Sequence, residues 1–257
     1  MSETALPVLK VQHLGVSFGG LQAVSDFNME ISSGELVGLI GPNGAGKTTV
    51  FNLLTGVYKP TEGEIYLDGR LINGLRTHET VAAGIARTFQ NIRLFSQMSV
   101  ADNVKAAFTK DVKYGFCSAI FRTPSFWRTE RELDERAAEL LKIFGLEDKA
   151  DDLASSLPYG QQRKLEIARA LATNMKLLLL DEPAAGMNPT ETAELLDCIN
   201  IIREKFGIAI LLIEHDMSLV MNVCQRIQVI NFGQTIASGL PAEIASDPEV
   251  IKAYLGS

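Results

Sequence analysis

One octapeptide limits the architecture of this 257-residue chain more than any other feature: GPNGAGKT at 41–48. It follows ELVGLI at 35–40, a short apolar strand pattern. It precedes TTVFNLLTG, in which Val50, Leu53 and Leu54 recur at helical spacing. A glycine-rich turn between a strand and a helix is the phosphate-loop pattern in its required context. Gly41, Gly44 and Gly46 free the backbone to wrap with successive N–H groups facing inward, with Pro42, Asn43 and Ala45 between them. That nest, and the positive end of the helix opened by Thr48 and Thr49, both favour a polyphosphate. Lys47 adds a full charge for the β- and γ-phosphates, and the Thr48 hydroxyl can take one Mg2+ position.

Such a loop needs a carboxylate at the end of a neighbouring strand, and LLLLDEP at 177–183 supplies it. Asp181 is placed to hold Mg2+, directly or through water. Glu182, one residue further, is positioned differently. A second carboxylate near the γ-phosphate is suited to orient and polarise an attacking water; the plainer reading is a solvated strand-end acid. His215 lies just past an apolar run at 208–213, where an open sheet binds ligands. A neutral imidazole there can donate to a γ-phosphate oxygen or to the water. Gln90, in ARTFQNIRLF, is less determined: its amide can reach Mg2+ or the water, or hydrogen-bond the backbone. Asn188, Pro189 and Glu191 read as cap, first and third positions of a helix. His13 and His78 have no comparable context.

The remaining pattern is that of an α/β core. LLLL at 177–180 and IAILLI at 208–213 suit buried parallel strands and are far too short to cross a bilayer. VLKVQHLGVSF and GGLQAVSDFNMEI read as strands ahead of the phosphate loop. TEGEIYLDGR reads as a turn and an exposed strand, closed by a second turn at Asp68-Gly69. Helices are expected at 190–204 and 217–224, closing strands at 226–230 and 234–237, and short helices at 241–246 and 248–255. Between about 99 and 172 the character changes to helix, and Leu133, Ala137, Leu140, Leu141 and Phe144 share one helical face. The expectation is one domain over 1–257 with a helical insert at roughly 99–172. Within that insert KYGFCSAIFRTPSFWRTE is rich in aromatics and broken by Pro124. It either packs on its own helices or offers a docking surface.

Composition removes other classes. Lys and Arg total 24 against 31 Asp and Glu, a net charge of −7, with no basic stripe of the kind a nucleic acid requires. Cys117, Cys198 and Cys224 lack metal or redox spacing, and the last two read as small buried hydrophobes. MSETALPVLK carries no signal pattern, so a cytoplasmic protein that meets a membrane only through a partner is expected.

Taken in order, GPNGAGKT, Gln90, LLLLDEP and His215 resemble the ATP-binding cassette family of transporter ATPases, over about 8–255. LPYGQ at 157–161 stands where that family has its signature segment, usually LSGGQ. The resemblance implies an α/β phosphate-loop nucleotide-binding core (RecA-like) with an N-terminal antiparallel β subdomain and an inserted helical subdomain. It implies ATP and Mg2+, and pairing head to tail with a second cassette, either a sister ATPase or a second copy. Each ATP would then lie between one phosphate loop and the other cassette's signature helix, opened by Gly160 and Gln161. It also implies membrane permease subunits, an extracytoplasmic substrate-binding protein reached through the complex, and a place at the cytoplasmic face of the cell membrane. Gln90 becomes the lid residue that links the site to the permease. Phe18, otherwise a strand-end hydrophobe, becomes the aromatic that stacks on adenine.

Three positions depart from that family. Pro158 replaces the serine that contacts the γ-phosphate, Tyr159 replaces a glycine, and Asn188 stands where an aspartate is usual. Proline has neither hydroxyl nor N–H, so the serine's contact is lost, leaving Gly160 and the N–H groups that open the helix. Further along, Leu165, Ala168 and Ala172 read as packing, and Arg163, Lys164 and Arg169 as solvated or paired charges. Within the family, ARTFQNIRLFSQMSVADNV, the aromatic insert, LPYGQQRKLEIARAL and DEPAAGMNP resemble the ATPases of branched-chain amino acid importers. The closing residues also resemble lipopolysaccharide-export ATPases, so a lipid exporter and a soluble non-transport cassette stand as alternatives. A GTPase is disfavoured, for no NKxD or DxxG is present.

Overall fold

The structure, a computed structural model, describes residues 6–112 and 114–255; the first five residues of MSETALPVLK and the Cys117 side chain lie outside it. Two strands open the fold, β1 (Leu9–Phe18) and β2 (Leu21–Ile31), paired antiparallel about Gly19 and Gly20, both at positive φ. After them come β3 (Leu36–Ile40), α1 (Lys47–Leu54), β4 (Glu62–Leu67) and β5 (Arg70–Leu71). β4 pairs with β1, completing a sheet of order β2-β1-β4-β5. Asp68 and Gly69, at φ 50° and 74°, make the tight turn into β5. The strand expected to be exposed is half-buried instead. Ile65 and Leu67 face the core while Glu62 and Glu64 face out, as period-two alternation on a one-sided sheet requires.

A second sheet takes β6 (Ile85–Arg87), β7 (Leu177–Asp181), β8 (Ala209–Ile213), β9 (Arg226–Asn231) and β10 (Gln234–Gly239), in the order β10-β9-β3-β8-β7-β6. Only β10 runs antiparallel to its neighbour. Leu177 and Leu179 share one core with the buried faces of β1, β2 and α1, while Leu178 and Leu180 are as fully buried on the opposite face. Burial on both faces is why these strands read as unbroken apolar runs rather than as alternation. Helices α2 (Thr77–Ala83), α8 (Met217–Val223), α9 (Pro241–Ser246) and α10 (Pro248–Leu255) belong with these sheets.

The chain divides into two compact units. The sheets lie in one, made of Met1–Arg87, Met175–Ala184 and Ile202–Ser257; the other is made of Thr88–Asn174 and Ala185–Ile201. The second unit is helical: α3 (Val100–Lys105), α4 (Phe116–Phe121), α5 (Pro124–Ile143), α6 (Tyr159–Leu171) and most of α7 (Pro189–Phe206). Leu133, Ala137 and Leu141 are buried along one face of α5, with Phe144 just beyond its end. In the aromatic segment Tyr114 and Phe126 pack on each other, whereas Phe116, Ile120, Phe121 and Trp127 remain exposed. Cys198 and Cys224 are buried, free and held up in pKa by desolvation, Cys224 to about 12.

Candidate functional site

β3, β8 and β7 lie side by side and parallel, so the chain segments leaving their carboxyl ends converge. Those segments are the glycine loop, Glu182 and the stretch from Glu214 to His215. A Cβ at Gly41 would lie 2.1 Å from the Ile230 carbonyl oxygen, so only glycine lets the loop pass β9. Gly44, at φ +78°, opens onto free space. The Ala45 N–H donates to Pro42 O at 3.2 Å, and the Ala45 carbonyl accepts the Gly233 N–H at 2.8 Å, which braces the loop.

A cavity of about 210 Å³ follows, lined by Asn43 to Thr49, Glu182, Ile213 and His215. A helix leaves its first-turn N–H groups without partners of its own, and in α1 these belong to residues lining the cavity. Lys47 is 7% exposed, and its ammonium donates to Gly41 O at 2.6 Å and Pro42 O at 3.0 Å. Burial lowers its pKa, against the opposing pull of Glu182 and Asp181. The loop, its helix and its lysine fit a polyphosphate.

Glu182 sits at φ 48°, a left-handed turn for a residue with a Cβ, which costs roughly 1–2 kcal/mol. Its N–H donates to Ile213 O at 2.9 Å, and this turn at the strand end places its carboxylate 2.7 Å from His215 Nε2. An ionised carboxylate only accepts, so Nε2 carries the proton and donates it to Glu182 Oε1. A neutral His215 in this arrangement has no second N–H for a phosphate oxygen. The imidazole expected to donate to a phosphate oxygen or to the water thus faces Glu182 here.

Asp181 lies at the end of β7, and its Oδ2 accepts from Arg87 at 2.6 Å. Arg87 also donates to Asn52 at 2.8 Å and covers the Phe51 ring. Thr48 and Asp181 offer hard oxygens of the kind Mg2+ takes. Among the described residues no group of three His, Cys, Asp or Glu could hold a metal alone. A magnesium ion shared with substrate phosphates needs only one or two protein oxygens. Phe18 ends β1 partly exposed, its ring edge-on to Tyr58 at 5.0 Å.

Two residues that the sequence reading does not single out shape these groups, and a third holds the segment around Gln90. Arg87 is one. Glu214 is another: only 6% exposed, it accepts the Ala184 N–H at 2.9 Å through Oε1 and the His215 N–H at 3.3 Å through Oε2. It thereby ties the turn after Glu182 to the start of the His215 segment. Burial raises its pKa, and the nearby Glu182 charge raises it further.

The third is Arg163, in the helical unit. Of the two readings, solvated or paired, the structure shows the second: Arg163 is 0% exposed and ion-paired with Glu166. Its Nη1 donates to Phe89 O at 2.6 Å and to Glu166 at 2.7 Å, and its Nη2 to Gln90 O at 2.8 Å. A buried guanidinium survives when carbonyls and a carboxylate take most of its protons, as they do here at Nη1 and Nη2, while Nε has no partner among the described residues. Lys164 pairs with Glu194 at 2.6 Å, and Arg169 donates to Arg93 O. Helix α6 starts at Tyr159 with Pro158 as its cap, so no side-chain oxygen closes its first turn; Gly160 is buried there and packs on Glu191. Gln161 accepts from Lys149 at 2.8 Å. Asn188 and Glu191 exchange bonds of 3.0 Å each, side chain to main chain, in a full capping box for α7.

The model of the ABC transporter family matches residues 24–185, which run from before the glycine loop to just past Glu182. The chain belongs to the ABC transporter family. The model described as branched-chain amino acid ATP-binding cassette transporter matches 234–257. Across 97% of the chain, it is 49% identical to the high-affinity branched-chain amino acid transport ATP-binding protein BraF of Pseudomonas aeruginosa, covering 98% of that protein. It is 50% identical to LivG of Escherichia coli K12, described in the same words, over 97% of this chain and 98% of that one. Among solved structures, the ADP conformation of MJ1267, an ATP-binding cassette of an ABC transporter, superposes with a TM-score of 0.84 at 30% identity over 98% of this chain and 100% of that one. The fold is therefore that of an ABC ATPase, with a RecA-like core, an N-terminal β subdomain and an inserted helical subdomain, and the chain is an ATP-hydrolysing enzyme of that family. No helix of the described residues is long and apolar enough to cross a membrane.

Proposed function

We propose that this ABC ATPase is the motor subunit of an importer of leucine, isoleucine and valine, held peripherally at the cytoplasmic face of the cell membrane by permease subunits. The observation that carries the hydrolytic part is the Glu182–His215 pair, joined at 2.7 Å on the wall of the phosphate-loop cavity. Lys47, Thr48, Thr49 and the loop from Gly41 to Gly46 hold the phosphates of ATP, and Phe18 stacks on adenine. Thr48, Asp181 and Gln90 hold Mg2+, which neutralises phosphate charge when bound.

Glu182 then acts as the base that orients the attacking water. As a phosphate enters, His215 exchanges its Glu182 partner for a phosphate oxygen or the water, which frees the carboxylate for that task. Gln90 acts as the lid residue toward the permease. Gly160 and Gln161 complete the ATP site of a second cassette, and a substrate-binding protein delivers the amino acid from outside. The substrate assignment is supported by the branched-chain amino acid transport descriptions of BraF and LivG, and by the family model that matches the closing residues.

The Glu182→Gln variant is expected to keep ATP binding and to lose about 100-fold or more in turnover, the scale of a general base. Turnover at the parent rate would remove Glu182 from that role. Transport is tested by isolating the chain with its membrane subunits and assaying uptake across amino acids. Stimulation by lipid-linked glycans alone would overturn import in favour of export.

A further inference from the structure

Tyr159 stands where the family's signature segment usually has glycine, and its side chain joins a network that glycine could not join. Its hydroxyl accepts from Arg163 Nη2 at 3.3 Å, and its ring lies 6.0 Å from the guanidinium carbon. The same guanidinium bonds the carbonyls of Phe89 and Gln90, while Glu166, its carboxylate partner, accepts the Arg93 N–H at 3.4 Å. The backbone from Phe89 to Arg93 is thus fastened to side chains of α6. Guanidinium donors form a rigid planar fork, so moving one edge of Arg163 moves both carbonyls it holds. The Tyr159 hydroxyl holds one such edge from a ring that is 42% exposed, at the first residue of α6. On its other side the Tyr159 ring edge lies 3.7 Å from where a Cβ would sit on Gly186.

We infer that Tyr159 is a positioning residue which, through Arg163, sets the backbone at Gln90 and with it the direction of the Gln90 side chain. The residue that departs from the usual signature thereby gains a task in the lid segment. This rests on the lid role proposed for Gln90, while the contacts themselves do not.

Two measurements on the full chain test it, with Tyr159→Phe as the variant because it keeps the ring and removes only the hydroxyl. Amide hydrogen exchange at Gln90 to Arg93 is expected to rise about threefold or more, with the later turns of α6 and the melting temperature unchanged. In the complex with its partner subunits, kcat for ATP should fall about threefold at constant KM. In a Gln90→Ala background the same change should have almost no effect, the non-additivity of residues acting through one another. Unchanged exchange across Gln90 to Arg93 would overturn the inference. So would an equal fall in kcat in both backgrounds, or a loss tracking a lower melting temperature. The Glu182→Gln variant keeps the two readings apart. Normal turnover there removes the hydrolytic site, whereas a dead Glu182→Gln beside additive Tyr159 and Gln90 effects removes only this inference.

Discussion

Glu214 does not line the cavity, yet its carboxylate accepts main-chain N–H groups from both sides of the Glu182–His215 pair. Two such bonds favour the ionised form, while desolvation and the Glu182 charge oppose it, and the opposition wins. The folded protein therefore holds a proton on Glu214 at pH values where the unfolded chain has released it. Unfolding in that window releases a proton, so stability falls as pH rises from about 4.5, the ordinary value, to the raised folded pKa, and levels off above it. Glu214→Gln removes that titration. Its amide faces one main-chain N–H with an N–H of its own, a cost that does not vary with pH. The expected result is a melting temperature that declines less steeply than the parent's from pH 4.5 upward, measured by thermal unfolding across a pH series. Parallel profiles would show that Glu214 ionises as freely in the folded protein as in the unfolded chain.

Helix α7 starts where sequence and structure agree most closely. Asn188, Pro189 and Glu191 supply the reciprocal cap that their spacing implies, and both bonds form. Asn188→Ala should cost about 1 kcal/mol of stability in urea unfolding, whereas Asn188→Asp, which keeps the accepting oxygen, should stay within about 0.5 kcal/mol. An alanine variant as stable as the parent would show that the cap contributes nothing at this helix end. Elements of this kind were legible because their cause is local. A cap depends on residues three apart, a glycine loop on its own backbone, and a buried strand on its uniform apolarity. Arg163 was legible only in part: its pairing with Glu166 is local, but its burial depends on the carbonyls of Phe89 and Gln90, far upstream, that receive it. Arg87 and Glu214 were missed for the same reason. Each has a partner, Asp181 or the Ala184 N–H, brought near only by the order of the parallel strands. The one available signal was positional: both follow or end short strands beside the carboxylates already singled out.

At the scale of the whole molecule, the groups proposed for the nucleotide's phosphates, from Gly41 to Thr49 with Glu182 and His215, all lie in the sheet-bearing unit. Nucleotide binding to the isolated chain should therefore stabilise it without a second cassette. A ligand that binds only the folded state adds about 2.7 kcal/mol at one hundred times its Kd. For a chain of this size each kcal/mol raises the melting temperature by about 2–4 °C, so saturating ATP with Mg2+ should raise it by about 5 °C or more. Lys47 decides whether that happens. Its ammonium is held by the loop's own carbonyls at Gly41 and Pro42, close to where phosphate charge would lie, so exchanging those neutral partners for an anion needs only a short movement. Lys47→Ala also removes those two loop contacts, so its melting temperature without nucleotide is free to shift in either direction. The informative quantity is the difference with and without ATP within each protein. That difference should fall below about 1 °C in the variant, and an ATP-dependent rise equal to the parent's would show that the loop's N–H groups bind the polyphosphate without the lysine.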